Sequence, residues 1–547
     1  MYTQLQDNAK DIRLCKVAWL GDRDEGTINI TFEIVPLDEC KGTYRALLYA
    51  WGDSTDRVPI TVNGYHRLVT RTVEYWLRRI VSLGYGDRIW VDQLSINQQD
   101  LQEKGQQVLL MGSIYESAYE VLIGVCERMS SGDGVSVRKW LEGMLVDHHL
   151  FELDRFASDA LSVGSSRNPC LALVTSPWFS RTWVLQEFCL AKRSVLLCPW
   201  GEVSWDILVW AFSQWNKHVQ DCCQDLGDIQ RELREECQRI CHHIKSLEHI
   251  KKNLYDRHIL EIMQLFMHLD VTNLRDKVYG LQAFHRGKNE MPAPDYAKPV
   301  AGVFTDFTMW AIQDLQSLYP LAFELHHEYS DTPSWAMDFC MQASVDANHW
   351  RRRLSGVGLH NASAGIPFAA ELASPGCLRV QGIEVGQVEA VTEPFLHIPK
   401  CNADLLDVLG TWYNFATNQR ADGPLFGQAN GFVDATLFDV RFCSTMLANQ
   451  VEDGERLVTF RGIQDTGKFR QAEESDLTKW KMTIAGMTRL PSHTIRVNPI
   501  IESNITAVLG RSMFRTDLGY FGIGPASTRP GDVLWVLGGG VCPVCAP

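Results

Sequence analysis

Polar side chains follow two short apolar runs near the N-terminus, at positions where a binding cleft is often built. The run Arg45 to Tyr49 is followed by Trp51-Gly52-Asp53, and Ile89-Trp90-Val91 is followed by Asp92. Each run predicts a buried strand. Because ligands in open α/β sheets bind beyond the carboxyl ends of the strands, the two loops are candidate walls of one cleft. Its candidate ligand-binding residues are Trp51, Asp53, Asp92, Asn97 and Gln98.

These polar residues also have a simpler interpretation. Asp and Asn side chains commonly accept hydrogen bonds from neighbouring backbone N–H groups in turns and helix caps. Gly52 would give the first loop the backbone freedom of a tight turn. For Asp53, Asp92 and Asn97, local capping and ligand contact therefore both remain open.

Cysteine and histidine residues raise the question of a metal site. Cys237, Cys241, His242 and His243 fall on one predicted helix, but Cys237 lies on its apolar stripe and adjacent histidines cannot face one ion. Cys542-Pro543-Val544-Cys545 lacks a second pair of ligands. The sequence also has no phosphate-binding loop, zinc-protease helix or nucleophile elbow. We predict no metal ligands and no resident cofactor.

Alternating strand and helix signals surround the candidate cleft. After the first apolar run, Asn63-Gly64 predicts a hairpin over 58–69, and a helical face follows at 73–81. Asp100 with Glu103 predicts the start of a helix to about Ser117, before a strand at 119–125. Ser176-Pro177 predicts a helix through Ala191, and a strand follows at 195–198. This order predicts a doubly wound α/β domain with a parallel sheet.

The rest of the chain has a different pattern. Apolar residues from Leu226 to Leu247 step by three and four, and helical spacing returns at 259–267 and 300–310. After about 345 the signal changes to short strands, such as 378–385 and 533–537. We predict an α/β domain over 1–215, a mainly helical region over 216–345 and a β-rich region over 346–547.

Composition excludes several classes of function. The chain has 547 residues, 45% of them hydrophobic, and a formal net charge of -14. This balance is typical of globular domains, and the absence of a basic run argues against nucleic acid as a partner. No apolar stretch approaches the length of a membrane span, and charged residues near the N-terminus argue against a signal peptide. We expect a cytoplasmic protein whose sixteen cysteines are reduced.

Four sequence blocks resemble the heterokaryon-incompatibility (HET) family of fungi. The first two are Tyr44 to Asp53 and Ile89 to Asp100, and Ser95 of the second stands where cysteine is usual in the family. The third is Pro177-Trp178-Phe179-Ser180-Arg181-Thr182-Trp183-Val184-Leu185-Gln186-Glu187. The fourth begins with Arg275 to Leu281 and continues through Asp295-Tyr296, Pro333-Ser334-Trp335, Gly519 to Pro525 and Pro530-Gly531-Asp532.

HET domains in turn resemble TIR domains, some of which cleave NAD with a glutamate. The resemblance implies a TIR-like sheet, Glu187 as the catalytic residue, and Ser180 and Trp183 as substrate-binding residues. Trp183 and Glu187 are four residues apart and would share a helical face. A carboxylate there would stabilise the positive charge that develops on the ribose as nicotinamide leaves. Alternatively, Glu187 is a solvated helix residue and Trp183 packs in the core.

Three hypotheses of function follow. The first is a cytosolic incompatibility or cell-death effector whose α/β domain cleaves or binds NAD or a related nucleotide after self-association. The second is a non-catalytic module that recognises a protein partner and assembles. The third is a biosynthetic enzyme that uses the same cleft for another small molecule.

Overall fold

The computed structural model describes most of the chain in two compact units, residues Met1–Val303 and Phe304–Pro547. The described residues are 2–21, 26–126, 131–146, 149, 169–223, 231–254, 258–285, 289–322, 331–339, 362–363, 366–374, 376–397, 399, 401–417, 426–427, 432–433, 440–448, 450–453, 468–487, 504–505, 507–540 and 543–546.

A mixed sheet organises the first unit, and nine strands of it lie within the described residues. In chain order they are β1 Asp11–Leu20, β2 Thr27–Pro36, β3 Arg45–Tyr49, β4 Arg57–Val62, β5 Tyr65–Thr70, β6 Ile89–Val91, β7 Glu120–Gly124, β8 Ser194–Cys198 and β9 Gly201–Ser204. Across the sheet the order is β5-β4-β2-β1-β6-β3-β7-β8-β9.

The centre of this sheet is parallel, as the sequence predicts. β6 pairs with β3, β3 with β7 and β7 with β8, all in parallel. Numbered along the chain, these four strands have the order 2-1-3-4 of doubly wound flavodoxin-like sheets. From β3 the chain continues to one side of the sheet and from β7 to the other, so the crevice where such folds bind ligands lies beyond these two strand ends.

Helices flank the sheet. They are α1 Arg71–Ser82, α2 Asp92–Ser95, α3 Leu101–Ser117, α4 Ser131–Leu145, α5 Pro169–Val174, α6 Val184–Cys189, α7 Trp205–Asp221, α8 Arg231–Lys252, α9 Ile259–Phe266 and α10 Asp276–Tyr279. The next helix, α11 Val300–Leu315, includes the residues at which the chain is divided into units. Trp76, Leu77 and Ile80 of α1 are fully buried against the sheet. The helical face predicted over 73–81 is therefore confirmed.

Two parts of this unit differ from the prediction. The sheet extends beyond its parallel centre, because β1 and β2 form a long antiparallel pair that the apolar pattern did not reveal. The helix predicted from Pro177 to Ala191 is interrupted: Pro177–Ser180 is a short 3-10 turn, and α6 begins only at Val184. Between them, the Thr182 N–H donates to the Asp270 carbonyl, so pairing with a distant segment replaces the helical hydrogen bond.

Within its described residues, the second unit combines sheets with most of α11 and three further helices. Its strands are β10 Ala370–Ser374, β11 Cys377–Val380, β12 Gly382–Val391, β13 Phe426–Gly427, β14 Phe432–Val433, β15 Gln450–Asp453, β16 Lys468–Gln471, β17 Arg511–Thr516, β18 Phe521–Pro525, β19 Val533–Leu537 and β20 Val544–Ala546. The largest sheet has the order β18-β17-β12-β19-β20. The helices α12 Asn402–Ala416, α13 Val440–Met446 and α14 Glu474–Met487 enclose a core that includes Trp412, Phe442 and Trp480.

The coarse division of the chain agrees with the sequence analysis. A helical middle follows the α/β sheet, and the strand predicted at 533–537 is β19, whereas the run predicted at 378–385 is divided between β11 and β12. The three further helices of the second unit were not predicted. The boundaries at 215 and 345 stay predictions, while Leu226, Ile229 and Cys542 lie outside the described residues. In the parts of the chain described, no helix is long and apolar enough to cross a bilayer.

Candidate functional site

The loops after β3 and β6 meet, as expected for neighbouring parallel strands. The indole N–H of Trp51 donates to Oδ2 of Asp92 over 2.8 Å. The other carboxylate oxygen of Asp92 accepts from the Gln93 N–H at 2.7 Å, and Gln98 Nε2 donates to the Asp92 carbonyl at 3.2 Å. Three of the predicted ligand-binding residues, Trp51, Asp92 and Gln98, are therefore brought together.

Asp53 and Asn97 hold their own loops. Asp53 Oδ1 accepts hydrogen bonds from the N–H and the hydroxyl of Thr55, at 2.8 and 2.7 Å. Asn97 Oδ1 accepts from the Gln99 N–H at 3.3 Å. These are the local turn contacts of the simpler interpretation. They leave ligand contact by either residue as a prediction.

The segment Pro177 to Glu187 reaches the same strand end through Arg181. Nη1 of Arg181 donates to the carbonyl oxygen of Tyr49, the last residue of β3. Ser180 Oγ instead donates to the Pro177 carbonyl at 3.0 Å, within its own 3-10 turn. Because the helix begins only at Val184, Ser180 does not share one helix with Glu187 as the prediction required.

Trp183 is anchored by a residue of the fourth sequence block. Its indole N–H donates to Oδ2 of Asp276 at 3.1 Å, and the Tyr296 hydroxyl donates to Oδ1 of the same carboxylate at 2.8 Å. Gln186 Nε2 donates to the Tyr279 carbonyl at 3.3 Å. Asp276 and Tyr279 therefore hold α6 in place, and Tyr296 orients the Asp276 carboxylate.

Glu187 is buried in this structure, with 1% of its surface exposed. Burial raises the pKa of its carboxyl group to about 7, and the negative charge of Asp92 adds to this, while Arg181 and the Trp178 indole lower the pKa. Among the described residues, Arg181 makes no ion pair with it. The interpretation of Glu187 as a solvated surface residue is thus contradicted.

Two polar atoms at this carboxyl group have no partner among the described residues. Oε2 of Glu187 and the hydroxyl of Tyr115 are buried and make no hydrogen bond within the described part of the chain. Burial raises the pKa of Tyr115 far above its usual value, and the charges of Glu187 and Asp92 act in the same direction. Since buried polar groups are nearly always paired, such a cluster is typical of a place that receives water or a ligand.

The site combines two carboxyl groups, those of Asp92 and Glu187, with the cation Arg181. Burial raises the pKa of Asp92, while Arg181, the Trp51 indole and the Gln93 N–H oppose that rise. Arg181 thus lies within electrostatic range of both carboxyl groups, Asp92 and Glu187. The arrangement offers a carboxyl group that titrates near neutral pH and a fixed cation, which are the elements needed to stabilise developing charge.

Sequence reasoning did not identify several residues of this site. Gln93 accepts from the hydroxyls of Tyr49 and Thr70, at 3.0 and 3.3 Å, and so links β3, β5 and α2. Arg181 belongs to the third sequence block and Tyr115 to α3, and no role was predicted for either. Arg181 stands two residues before Trp183, but only the three-dimensional contact with Tyr49 indicates its position.

A buried ion pair supports the loop after β6. Both carboxylate oxygens of Glu103 accept from Arg13, at 2.5 and 2.8 Å, and one also accepts from the Asn97 N–H at 2.8 Å. Ser95 Oγ accepts from the Val91 N–H at 3.1 Å and lies 3.8 Å from the Cys15 sulfur. Ser95, the position of departure from the family pattern, is therefore fully buried beneath the loop.

The cysteines of α8 have structural surroundings. Cys237 and Cys241 are buried, and the Cys241 thiol donates to the Phe212 carbonyl at 3.3 Å. The ring of His243 lies against Phe179 and Phe266. These contacts agree with the interpretation of this helix face as core.

Comparisons with known proteins identify the domain that carries this site. The family described as "Heterokaryon incompatibility protein (HET)" matches residues 44–187, a segment that ends at Glu187. A curated relative, "Heterokaryon incompatibility protein 6, OR allele" of Neurospora crassa, is 24% identical and covers 91% of this chain and 85% of its own length. No solved structure matches significantly. Residues 44–187 are a HET domain, and the chain is a HET-domain protein of the fungal type.

Proposed function

We propose that this protein acts in heterokaryon incompatibility as a cytoplasmic cell-death effector, and that its HET domain cleaves NAD at the bond between nicotinamide and ribose. The similarity to a fungal protein named for incompatibility supports the biological role. The chemical step is proposed from the resemblance to TIR domains together with the surroundings of Glu187. Self-association is proposed as the trigger.

The observation that carries the chemical proposal is the buried carboxyl group of Glu187 beside Arg181 and Asp92. A carboxyl whose pKa lies near 7 is partly ionised at neutral pH, although its surroundings are apolar enough to penalise the charge. Positive charge that develops on a sugar would attract the ionised carboxylate and so offset the free-energy cost of burying its charge. Ionised Glu187 is therefore suited to stabilise an oxocarbenium-like transition state.

The proposed reaction uses water and no further co-reactant. The glycosidic C–N bond breaks and its electron pair leaves with nicotinamide. Water adds to the ribose carbon and loses its proton, so that the products are nicotinamide, ADP-ribose and a proton. Arg181 would orient the pyrophosphate or the ribose hydroxyls, because a guanidinium is a strong donor to such oxygens.

Access to Glu187 requires a rearrangement. The carboxyl group is closed off, whereas Trp51 is 37% exposed and bonds to Asp92 at the rim of the site. We propose that the loop after β3 opens by release of this contact. Loop opening of this kind commonly gates active sites.

The test is NAD consumption by the purified full-length chain, measured by chromatography of nicotinamide and ADP-ribose. Glu187→Gln keeps the shape of the side chain and removes its charge. Glu116→Gln, on the exposed side of α3, is the matched control. Turnover that is lost in Glu187→Gln and kept in Glu116→Gln would support cleavage.

A second function, that of a non-catalytic assembly module, is favoured by the same burial. A closed Glu187 would then be a structural group, and the HET domain would act through its surface. Wild-type protein that consumes no NAD even when artificially clustered, yet captures a partner protein or itself, would support this alternative and exclude cleavage.

A further inference from the structure

Two histidines and two cysteines form a compact cluster away from the Glu187 site. His218 lies in the last turn of α7, Cys222 and Cys223 directly follow that helix, and His149 comes after α4. One ligand atom from each lies within 4.8 Å of all the others. His218 and Cys223 are buried, while His149 and Cys222 are exposed. Two imidazoles and two thiols are a ligand set of structural zinc sites.

Four of the six distances between the ligand atoms fit one tetrahedral ion, and the other two are at most 4.8 Å. Cys222 Sγ lies 3.7 Å from Cys223 Sγ, 3.4 Å from His149 Nδ1 and 3.2 Å from His218 Nδ1, and Cys223 Sγ lies 3.5 Å from His149 Nδ1. With zinc about 2.3 Å from sulfur and about 2.05 Å from nitrogen, the tetrahedral edges are about 3.8 Å for S–S and about 3.6 Å for S–N. The four distances agree with these edges to within about 0.4 Å.

The backbone holds the cluster in this arrangement. The N–H groups of Cys222 and Cys223 both donate to the His218 carbonyl, at 3.1 and 2.7 Å, which folds the chain back at the end of α7. α4 and α7 pack together, with the rings of Trp140 and Phe212 6.0 Å apart. Three ligands thus come from one helix end, and the fourth follows a neighbouring helix. The carboxyl end of α7 also favours a cation through the helix dipole.

We propose that His149, His218, Cys222 and Cys223 bind one structural zinc ion. Both cysteines bind as thiolates and both histidines as neutral imidazoles, so the two thiol protons are released to solvent and the complex has no net charge. Four protein ligands leave no open position for a substrate, so the ion has a structural role. It fastens His149 to the end of α7.

An alternative for adjacent cysteines is a disulfide between them. The sulfur atoms are 3.7 Å apart, whereas a disulfide bond is about 2.05 Å long. Oxidation would also remove both thiolate ligands. Zinc binding and disulfide formation are therefore distinguished by metal content and by mass.

The experiment measures zinc in the full-length chain, purified without a polyhistidine tag and dialysed against metal-free buffer. We expect one zinc per chain by inductively coupled plasma mass spectrometry, and a loss of most of it in Cys222→Ser and Cys223→Ser. Cys377→Ser, at an exposed cysteine of the second unit, is the matched control and should keep the ion. Zinc below stoichiometry in the wild type, or equal zinc in Cys222→Ser and Cys377→Ser, would overturn the proposal.

A second measurement does not depend on folding of the variants. Cobalt added to the metal-depleted wild type should give the intense visible absorption of a tetrahedral, thiolate-bound ion, and zinc should abolish it. Failure to develop this spectrum would contradict the site. A mass two hydrogens lower with no bound metal would identify the disulfide instead.

Discussion

The indole N–H of Trp51 donates a 2.8 Å hydrogen bond to Oδ2 of Asp92, and this contact joins the loops that follow β3 and β6. If it closes the site above Glu187, its removal should increase access. We expect Trp51→Phe to raise the rate of NAD consumption several-fold, measured on the purified chain. The free energy of unfolding should decrease by about 0.5–1.5 kcal/mol, because one partly exposed hydrogen bond is lost.

Trp210→Phe, at another exposed tryptophan, is the control for this change and should leave the rate unaltered. Equal rates for Trp51→Phe and the wild type, where the wild type is active, would show that this contact does not limit access.

Glu187 should make stability depend on pH. Its pKa is about 7 in the folded chain and 4.5 as the ordinary value. The folded state therefore holds the proton more tightly, and the free energy of unfolding should fall as pH rises from about 4.5 to about 7 and then level off. A difference of about 2.5 between the pKa values corresponds to roughly 3 kcal/mol. Glu187→Gln should remove this dependence.

Urea unfolding at pH 5 and pH 8 measures the effect. The variant should match the wild type at the lower pH and exceed it at the higher pH, because it does not bury a charge. A variant less stable than the wild type at pH 8 would instead show that the carboxylate is a net stabilising ion in the fold.

The same titration should shape activity. If ionised Glu187 stabilises the transition state, the initial rate of NAD cleavage should rise as pH increases through about 7, since the carboxylate fraction grows over that range. The profile is measured under saturating NAD, with the fold monitored by circular dichroism. A rate that falls over this interval would assign the protonated group as the active form.

Loss of the buried partner of Arg13 should destabilise the first unit strongly. Glu103 accepts from both terminal nitrogens of Arg13 and from the Asn97 N–H. Glu103→Ala leaves a guanidinium buried without its counter-ion, which typically costs about 3–5 kcal/mol. Glu142→Ala, at the exposed pair with Arg138, should cost about 0.5 kcal/mol or less. Similar losses of unfolding free energy in the two variants would show that burial does not determine how much each ion pair stabilises the fold.

Local sequence patterns predicted the four parallel strands and the hairpin, because each of these is marked by residues close together in the sequence. The apolar runs of β3, β6, β7 and β8 stand out because both faces of a parallel sheet are covered. The hairpin was visible at Asn63 and Gly64, which adopt φ values of 50° and 79°. β1 was missed because Arg13 and Lys16 interrupt its apolar pattern, and Arg13 is buried only through its distant partner Glu103.

The candidate site was likewise predictable only in the part that neighbouring strands define. Parallel strand ends must lie side by side, so Trp51 and Asp92 could be placed together from the sequence. The contacts of Arg181 with Tyr49 and of Trp183 with Asp276 join segments far apart along the chain, and no local periodicity records them. The proposed zinc ligands could not be grouped from the sequence for the same reason, since His149 meets Cys222 only through the packing of α4 on α7.

Asp276 should be required to hold α6 in position. Its carboxylate accepts from the indole of Trp183 and the hydroxyl of Tyr296, so Asp276→Ala leaves two donors without their acceptor. At about 1–3 kcal/mol for each unsatisfied buried group, we expect a loss of roughly 2–4 kcal/mol, because Trp183 is only half-buried. Asp276→Asn should lose much less, since its carbonyl can accept from Trp183 while the Tyr296 hydroxyl turns to accept from its amide. Denaturant unfolding measures the free energy of unfolding of both variants, with Asp87→Ala at an exposed position as the control. Equal losses of stability in the two Asp276 variants would show that the charge of Asp276, and not its acceptor geometry, holds the helix.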